Sequence, residues 1–239
     1  MVDRKTSTFQ VGSDPCSIET FAVPAGSGER PAVVLLHGTD GLEGESGTEI
    51  PKLAEQIADA GFIVFVPEYF GTHEMPGWPL ALIFESRIRS VGSYAPRIAA
   101  AVEYACADPR VDRARLGLVG LSLGGGLALQ YAVGAGSERV RAVVDFFGYI
   151  DAGSSVYRDA CKLPPTLILH NKNDGVVDVK YSSDLRDALL AHGIAHEFHG
   201  YDDDYSERKF HPFRPGGEAD KDSRSRTVTW LEKYVGGTA

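Results

Sequence analysis

The sequence predicts an α/β fold, a doubly wound, mostly parallel sheet with helices on both faces. Three observations carry that expectation. Short continuous apolar runs recur at residues 32–36, 62–66, 115–121, 142–147 and 166–170, and such runs suit parallel strands covered on both faces. Segments of helical periodicity alternate with them, as crossover connections require. The 239 residues are 43% hydrophobic and 24% charged, enough for one domain with a sizeable core. A single domain over residues 1–239 is expected, with no internal repeat or linker.

Taken in order, residues 8–11 and 18–23 suit an edge hairpin around Gly12 to Pro15, and Pro24-Ala-Gly-Ser-Gly28 reads as a turn. Ala32-Val-Val-Leu-Leu36 is the first buried strand and ends in His37-Gly-Thr-Asp-Gly41. A helix over about 48–60 follows, with Ile50, Leu53, Ala54 and Ile57 on one face and Gly61 as its stop. The next strand, 62–66, closes in Pro67-Glu-Tyr-Phe-Gly71. From 72 to 94 the periodicity blurs, which reads as an excursion over a pocket mouth. A helix over about 95–106 leads to the central strand, 115–121. Strands at 142–147 and 166–170 are separated by a polar loop. A helix over 179–191, a last strand over 195–201 and a helix marked by Val228, Leu231 and Val235 complete the chain.

The composition excludes several classes of function. A net charge of −9 with no cluster of Lys and Arg argues against a nucleic-acid partner. The first residues lack an apolar signal segment, and no apolar stretch approaches the length of a membrane span, so a cytoplasmic protein without a membrane partner is expected. Cys16, Cys106 and Cys161 are odd in number and widely spaced, which suits buried free thiols better than disulfides or zinc. No metal or organic cofactor is implied, and a homodimer is compatible with the sequence.

The chemistry gathers at Gly120-Leu-Ser122-Leu-Gly124, which follows the central apolar run and leads into Leu127, Ala128, Leu129 and Tyr131. Strand, sharp turn and helix in that order make Ser122 a candidate nucleophile presented above a helix N-terminus. The flanking glycines leave room where so tight a turn brings backbone against backbone. A serine hydroxyl attacks at neutral pH only when an imidazole takes its proton and a carboxylate orients that imidazole. Asp174 lies just past the strand 166–170 and is favoured as the acid; Asp178, four residues on, suits a helix N-cap better.

Seven histidines compete for the base. His37 follows an early strand, His170 lies too near the acid, His192 ends a helix, and His196 and His199 belong to the last strand. His211, in the loop before the last helix, completes the order Ser, Asp, His, with His73 as fallback. The backbone N–H groups of Leu123 and Thr39 are the natural oxyanion donors.

With these residues placed, the chain resembles the α/β-hydrolase superfamily over nearly its whole length, and within it the dienelactone hydrolase family. Residues 32–41, 60–71, 116–125, 170–174 and 210–211 carry the likeness. The resemblance implies the α/β-hydrolase fold, with Ser122 as nucleophile, Asp174 as acid and His211 as base. Dienelactone hydrolases themselves have cysteine in the elbow and a glutamate in the loop after the first buried strand, where this chain has His37-Gly38-Thr39. Those departures point to small carboxylic esters or lactones in general.

The family also holds its substrate carboxylate with arginines, a part that Arg214 could take, with Arg87 and Arg89 as weaker candidates. For each, a solvated surface position is the alternative. Trp78, Leu80, Ile83 and Phe84 either line an acyl pocket or pack the excursion against the body. Asp202-Asp203-Asp204 reads as a solvated loop, not a calcium site. The expected activity is hydrolysis by a Ser-His-Asp serine hydrolase through an acyl-enzyme. The alternatives are a non-catalytic ligand-binding protein, or an acyltransferase or small-peptide hydrolase on the same triad. A dinucleotide site built on Gly120, Gly124, Gly126 and Asp145 is disfavoured because Ser122 stands where a second glycine should be.

Overall fold

A computed structural model of the chain describes residues 1–24, 28–42, 45–70, 80–151, 153–204 and 213–237. Among them one sheet has eight strands: β1 (Asp3–Val11), β2 (Asp14–Ala22), β3 (Arg30–Leu36), β4 (Ile63–Pro67), β5 (Val111–Leu121), β6 (Val140–Phe146), β7 (Thr166–Asn171) and β8 (His196–Tyr201). Their order is β1-β2-β4-β3-β5-β6-β7-β8. The β1–β2 and β2–β4 pairs are antiparallel, and every pair from β4 to β8 is parallel.

The helices are α1 (Glu49–Asp59), α2 (Leu80–Arg89), α3 (Val91–Ala107), α4 (Leu123–Val133), α5 (Ser155–Arg158), α6 (Lys180–Ala191) and α7 (Glu218–Leu231), the last extended by a π turn, Glu232–Gly236. The apolar runs are covered on both faces because successive side chains point in opposite directions. Val34, Leu36, Leu118, Val143 and Ile168 pack under residues of α3, α4 and α6. Their neighbours Val33, Leu35, Val119, Val144 and Leu167 pack under α1 and α7. The doubly wound architecture expected from the sequence is therefore the one observed. Ile50, Leu53, Ala54 and Ile57 are all buried on α1, and Gly61 ends that helix at φ +98, a conformation glycine adopts without strain.

Some boundaries differ from expectation. The edge hairpin runs the full length of β1 and β2, because Thr- and Phe-bearing alternation extends into the polar ends. The excursion contains α2, and α3 begins at Val91 rather than near 95, passing through Pro96 close to its N-terminus; there a missing N–H forfeits a single bond. The polar loop between β6 and β7 holds the short α5 and a 3₁₀ turn, Ala160–Lys162. Cys16 and Cys106 are buried thiols, whereas Cys161, on that turn, is exposed.

One residue breaks the apolar pattern inside the sheet. Asp145, on β6 beside Gly120 of β5, is fully buried, and neither carboxylate oxygen makes a well-formed hydrogen bond among the described residues. A Cβ on Gly125 or Gly148 would come within 2.3 or 2.1 Å of its Oδ1, so the two glycines form its slot. Burial pushes its pKa up to about 7, with the Gly148 amide offsetting only part.

The unfolded chain gives up this proton near 3.8 and the fold only near 7. Stability from this group is thus fully present below the lower value, declines as pH rises between the two, and is lost above the upper. In guanidinium unfolding, Asp145→Asn should gain on the wild type by roughly 3 kcal/mol between pH 5 and pH 8. A difference between the two proteins that does not change with pH would contradict this.

Candidate active site

The turn between β5 and α4 is set by backbone contacts. Ser122 has φ 52 and ψ −117, a region L-residues enter at a cost of about 1–3 kcal/mol. Four hydrogen bonds hold its peptide groups: its N–H donates to Phe146 O at 2.9 Å, and its carbonyl accepts from Gly125 (2.9 Å), Gly126 (3.2 Å) and Tyr149 (3.0 Å). At a net ~0.5–1.5 kcal/mol each these bonds offset the strain. A Cβ on Gly120 would stand 2.2 Å from Gly124 O, and one on Gly124 would stand 2.4 Å from both His37 O and Leu36 O. The two motif glycines therefore let the elbow close on itself and on the loop after β3. Ser122 is 7% exposed at the N-terminus of α4.

That loop lies beside the serine, since a Cβ on Gly38 would be 3.5 Å from Ser122 Cβ. Its first three carbonyls have donors. Tyr69 Oη donates to His37 O at 2.5 Å; Gly38 O accepts from His37 Nδ1 at 2.9 Å and from Gly41 N at 3.1 Å; Thr39 O accepts from Arg87. Among the described residues the N–H groups of Leu123 and Thr39 donate to no protein acceptor. The His37 ring is fully buried, stacked on Tyr69 with centroids 4.1 Å apart, and its Nε2 lies 3.4 Å from Glu68 Oε1. Burial raises the Glu68 pKa, yet the charge of His37 and the Phe70 N–H, 3.0 Å away, outweigh it and hold the carboxyl below its ordinary value.

Asp174 follows β7 with a side chain only 1% exposed, although the backbone around it is more open. Its Oδ1 accepts from Val176 N at 2.8 Å and Val177 N at 2.9 Å, while Oδ2 lies 3.6 Å from His170 Nε2. Burial raises its pKa and the two amides pull it back only partly. His170 Nδ1 lies 2.7 Å from Ser182 Oγ and its Nε2 3.0 Å from Val177 O. A carbonyl only accepts, so the ring's proton sits on Nε2 and the serine donates to Nδ1. Burial lowers the His170 pKa to about 4, keeping it neutral. Asp178 instead accepts the Lys180 N–H at 2.8 Å at the start of α6, one residue before the N-cap position, Val179.

Ser122, the Leu123 and Thr39 amides and Asp174 thus all lie at the C-terminal ends of parallel strands or the turns that follow, where such sheets form their sites. His211, Trp78 and the fallback His73 lie outside the described residues, as do the side chains of Leu80, Ile83 and Phe84. Arg87 sits over the Phe70 ring at 4.1 Å besides binding Thr39 O. Arg89 pairs with Glu85 at 2.9 Å on the surface, and Arg214 lies 3.4 Å from Asp204, also at the surface.

The dinucleotide alternative loses its space: a Cβ on Gly126 would meet Tyr149 O at 1.9 Å, and Asp145 is buried beneath α4. Glu68 and the His170–Ser182 pair were not singled out from sequence. The available signal was a carboxylate and a histidine closing otherwise apolar strands. No described helix is long and apolar enough to cross a membrane.

Among known proteins, an uncharacterized 31.7 kDa protein of the traX-finO intergenic region in Escherichia coli is 28% identical over 132 residues, 55% of this chain and 42% of that one. The chain thus spans about two fifths of that relative's length. Two solved structures share the fold at 19% identity. They are a dienelactone hydrolase-like promiscuous phosphotriesterase from metagenomic libraries (TM-score 0.78, 98% of each chain) and the dienelactone hydrolase of Anabaena variabilis (TM-score 0.72, 98% of this chain and 99% of that one). The dienelactone hydrolase family model matches residues 19–235, and with that extent of match the chain belongs to the dienelactone hydrolase family.

Proposed function

We propose that the protein hydrolyses small, uncharged carboxylic esters or lactones through an acyl-enzyme on Ser122. The observation that carries this reading is the strained Ser122 elbow packed against the Gly38–Thr39 peptide, with two unpaired N–H groups beside the hydroxyl. Ser122 Oγ attacks the ester carbonyl while His211 takes its proton. The N–H groups of Leu123 and Thr39 hold the oxyanion, and His211 returns the proton to the departing alkoxide. Water, deprotonated by His211, then releases the acid and restores the serine. Asp174 Oδ2 stabilises the imidazolium, its Oδ1 being occupied by two amides.

Support for His211 comes from Phe213, which is fully buried against Phe146, Phe147 and Tyr201. That anchor, two residues past His211 in the sequence, lies next to the strand end whose carbonyl receives the Ser122 N–H. The preference for uncharged substrates rests on Arg87 and Arg214, which engage a carbonyl, a ring and a carboxylate of the protein itself.

Ser122→Ala should abolish hydrolysis of p-nitrophenyl acetate, and block fluorophosphonate labelling, in a protein with unchanged circular dichroism. Full turnover in that variant would sink the serine assignment, and a folded wild type that resists labelling would favour a non-catalytic binding protein. Asp174→Asn should lower kcat by about 10⁴-fold; a loss under tenfold would remove Asp174 as the acid. Because the base acts as neutral imidazole, kcat/KM should rise with pH through about 6.5, the ordinary histidine value. A flat pH profile with chemistry rate-limiting would count against a histidine base.

A further inference from the structure

The loop after β3 has a support that the proposed triad does not include. The Thr39 N–H belongs to the peptide whose carbonyl is Gly38 O, so whatever orients that carbonyl also aims the N–H. Two donors orient it, His37 Nδ1 at 2.9 Å and Gly41 N at 3.1 Å. Since a carbonyl only accepts, Nδ1 must carry the hydrogen of its bond.

The other edge of the ring faces Glu68 Oε1 at 3.4 Å, a charge contact too long and oblique to be a hydrogen bond. Glu68 is itself fixed, because Phe70 N–H donates to the same oxygen at 3.0 Å. The ring thus stands between Gly38 O at one nitrogen and the Glu68 carboxylate at the other, and contact with the fixed carboxylate holds it where Nδ1 reaches Gly38 O. Stacking on Tyr69 at 4.1 Å, with Phe70 edge-on at 4.6 Å, fixes the plane of the ring.

Building on the serine-hydrolase reading, we propose that Glu68 is a positioning residue for the reaction, acting through His37 to aim the Thr39 N–H at the developing oxyanion. Glu68 touches neither substrate nor nucleophile; its effect falls on the transition state, where the donor is used, and spares ground-state binding.

Kinetics of p-nitrophenyl acetate hydrolysis and inhibition by phenylboronic acid, which forms a tetrahedral adduct on a nucleophilic serine, test this in the full chain. Glu68→Ala should lower kcat by roughly 10–100-fold, less than the loss of a whole oxyanion donor, with KM within about twofold. The boronate inhibition constant should rise in proportion to the fall in kcat/KM. Glu68→Gln keeps an acceptor for Phe70 N–H and removes only the charge, so it should show a smaller loss in the same direction, and it serves if the alanine variant does not fold.

In a His37→Asn background, which keeps a donor near Gly38 O but has no second ring nitrogen, Glu68→Ala should cost nothing further. The inference is overturned if the folded Glu68 variants keep kcat and boronate affinity within twofold, if KM rises as much as kcat falls, or if the two substitutions are additive. Ser122→Ala separates the layers. If it leaves turnover intact the serine reading fails, whereas loss of turnover there with normal Glu68 variants defeats only the role of Glu68.

Discussion

Backbone packed directly on backbone at Gly120 and Gly124 is the constraint on which the site depends. With no side chain at 124, the carbonyls of Leu36 and His37 approach the first turn of α4 to a distance at which any Cβ would collide. That approach brings the ends of β3 and β5 together and sets Gly38 against Ser122. The same closeness explains the serine's backbone. A turn reversing from strand to helix within one residue forces φ to 52, and the sheet sustains it because Ser122 N–H completes a bond to Phe146 at the end of the neighbouring strand. Phe147, the next residue there, is also at positive φ, 42, with its N–H bonded to Leu169 O. Strain at two adjacent strand ends is held by bonds to the next strand, so the sheet distributes a cost that an isolated turn would have to meet alone.

The sheet and its covering helices were legible because their signals are redundant. Each buried strand is a continuous run rich in β-branched, aliphatic and aromatic residues, and α1 repeats its apolar residues at helical spacing up to a glycine stop. The Ser122 turn was legible for the same reason, since its glycines are a steric requirement visible in the sequence. That Asp174 lies just past β7 was legible because position after a strand is a topological property. What stayed hidden depends on side chains meeting across long separations. Arg87 reads as an ordinary surface arginine, yet it reaches Thr39, 48 residues earlier. Glu68 meets His37 only because β3 and β4 are adjacent and parallel. Asp145 resembled an acidic fingerprint residue because spacing alone does not say which face of a strand will be capped by a helix.

Two buried histidines at strand ends show how the same residue type is committed by what faces it. His170 stands between a hydroxyl and a carbonyl. That pair asks for one donor and one acceptor, which neutral imidazole supplies, and burial drives its pKa to about 4. Its ring then binds the carbonyl of Val177, whose own N–H is held by Asp174. The acid's loop is therefore braced without a second charge competing for the carboxylate. His37 stands between a carbonyl and a carboxylate, both acceptors, with its Nδ1 bonded to the carbonyl.

The proposed chemistry needs one histidine whose proton moves. Fixing His170 as a neutral brace and His37 between two acceptors removes both from that role by their hydrogen-bond partners, without appeal to distance from the serine. A base must be able to lose and regain a proton facing the nucleophile, and a ring with both edges occupied by the protein does not have that freedom. The proposed base is therefore a histidine other than these two, which is the place the proposed function gives to His211.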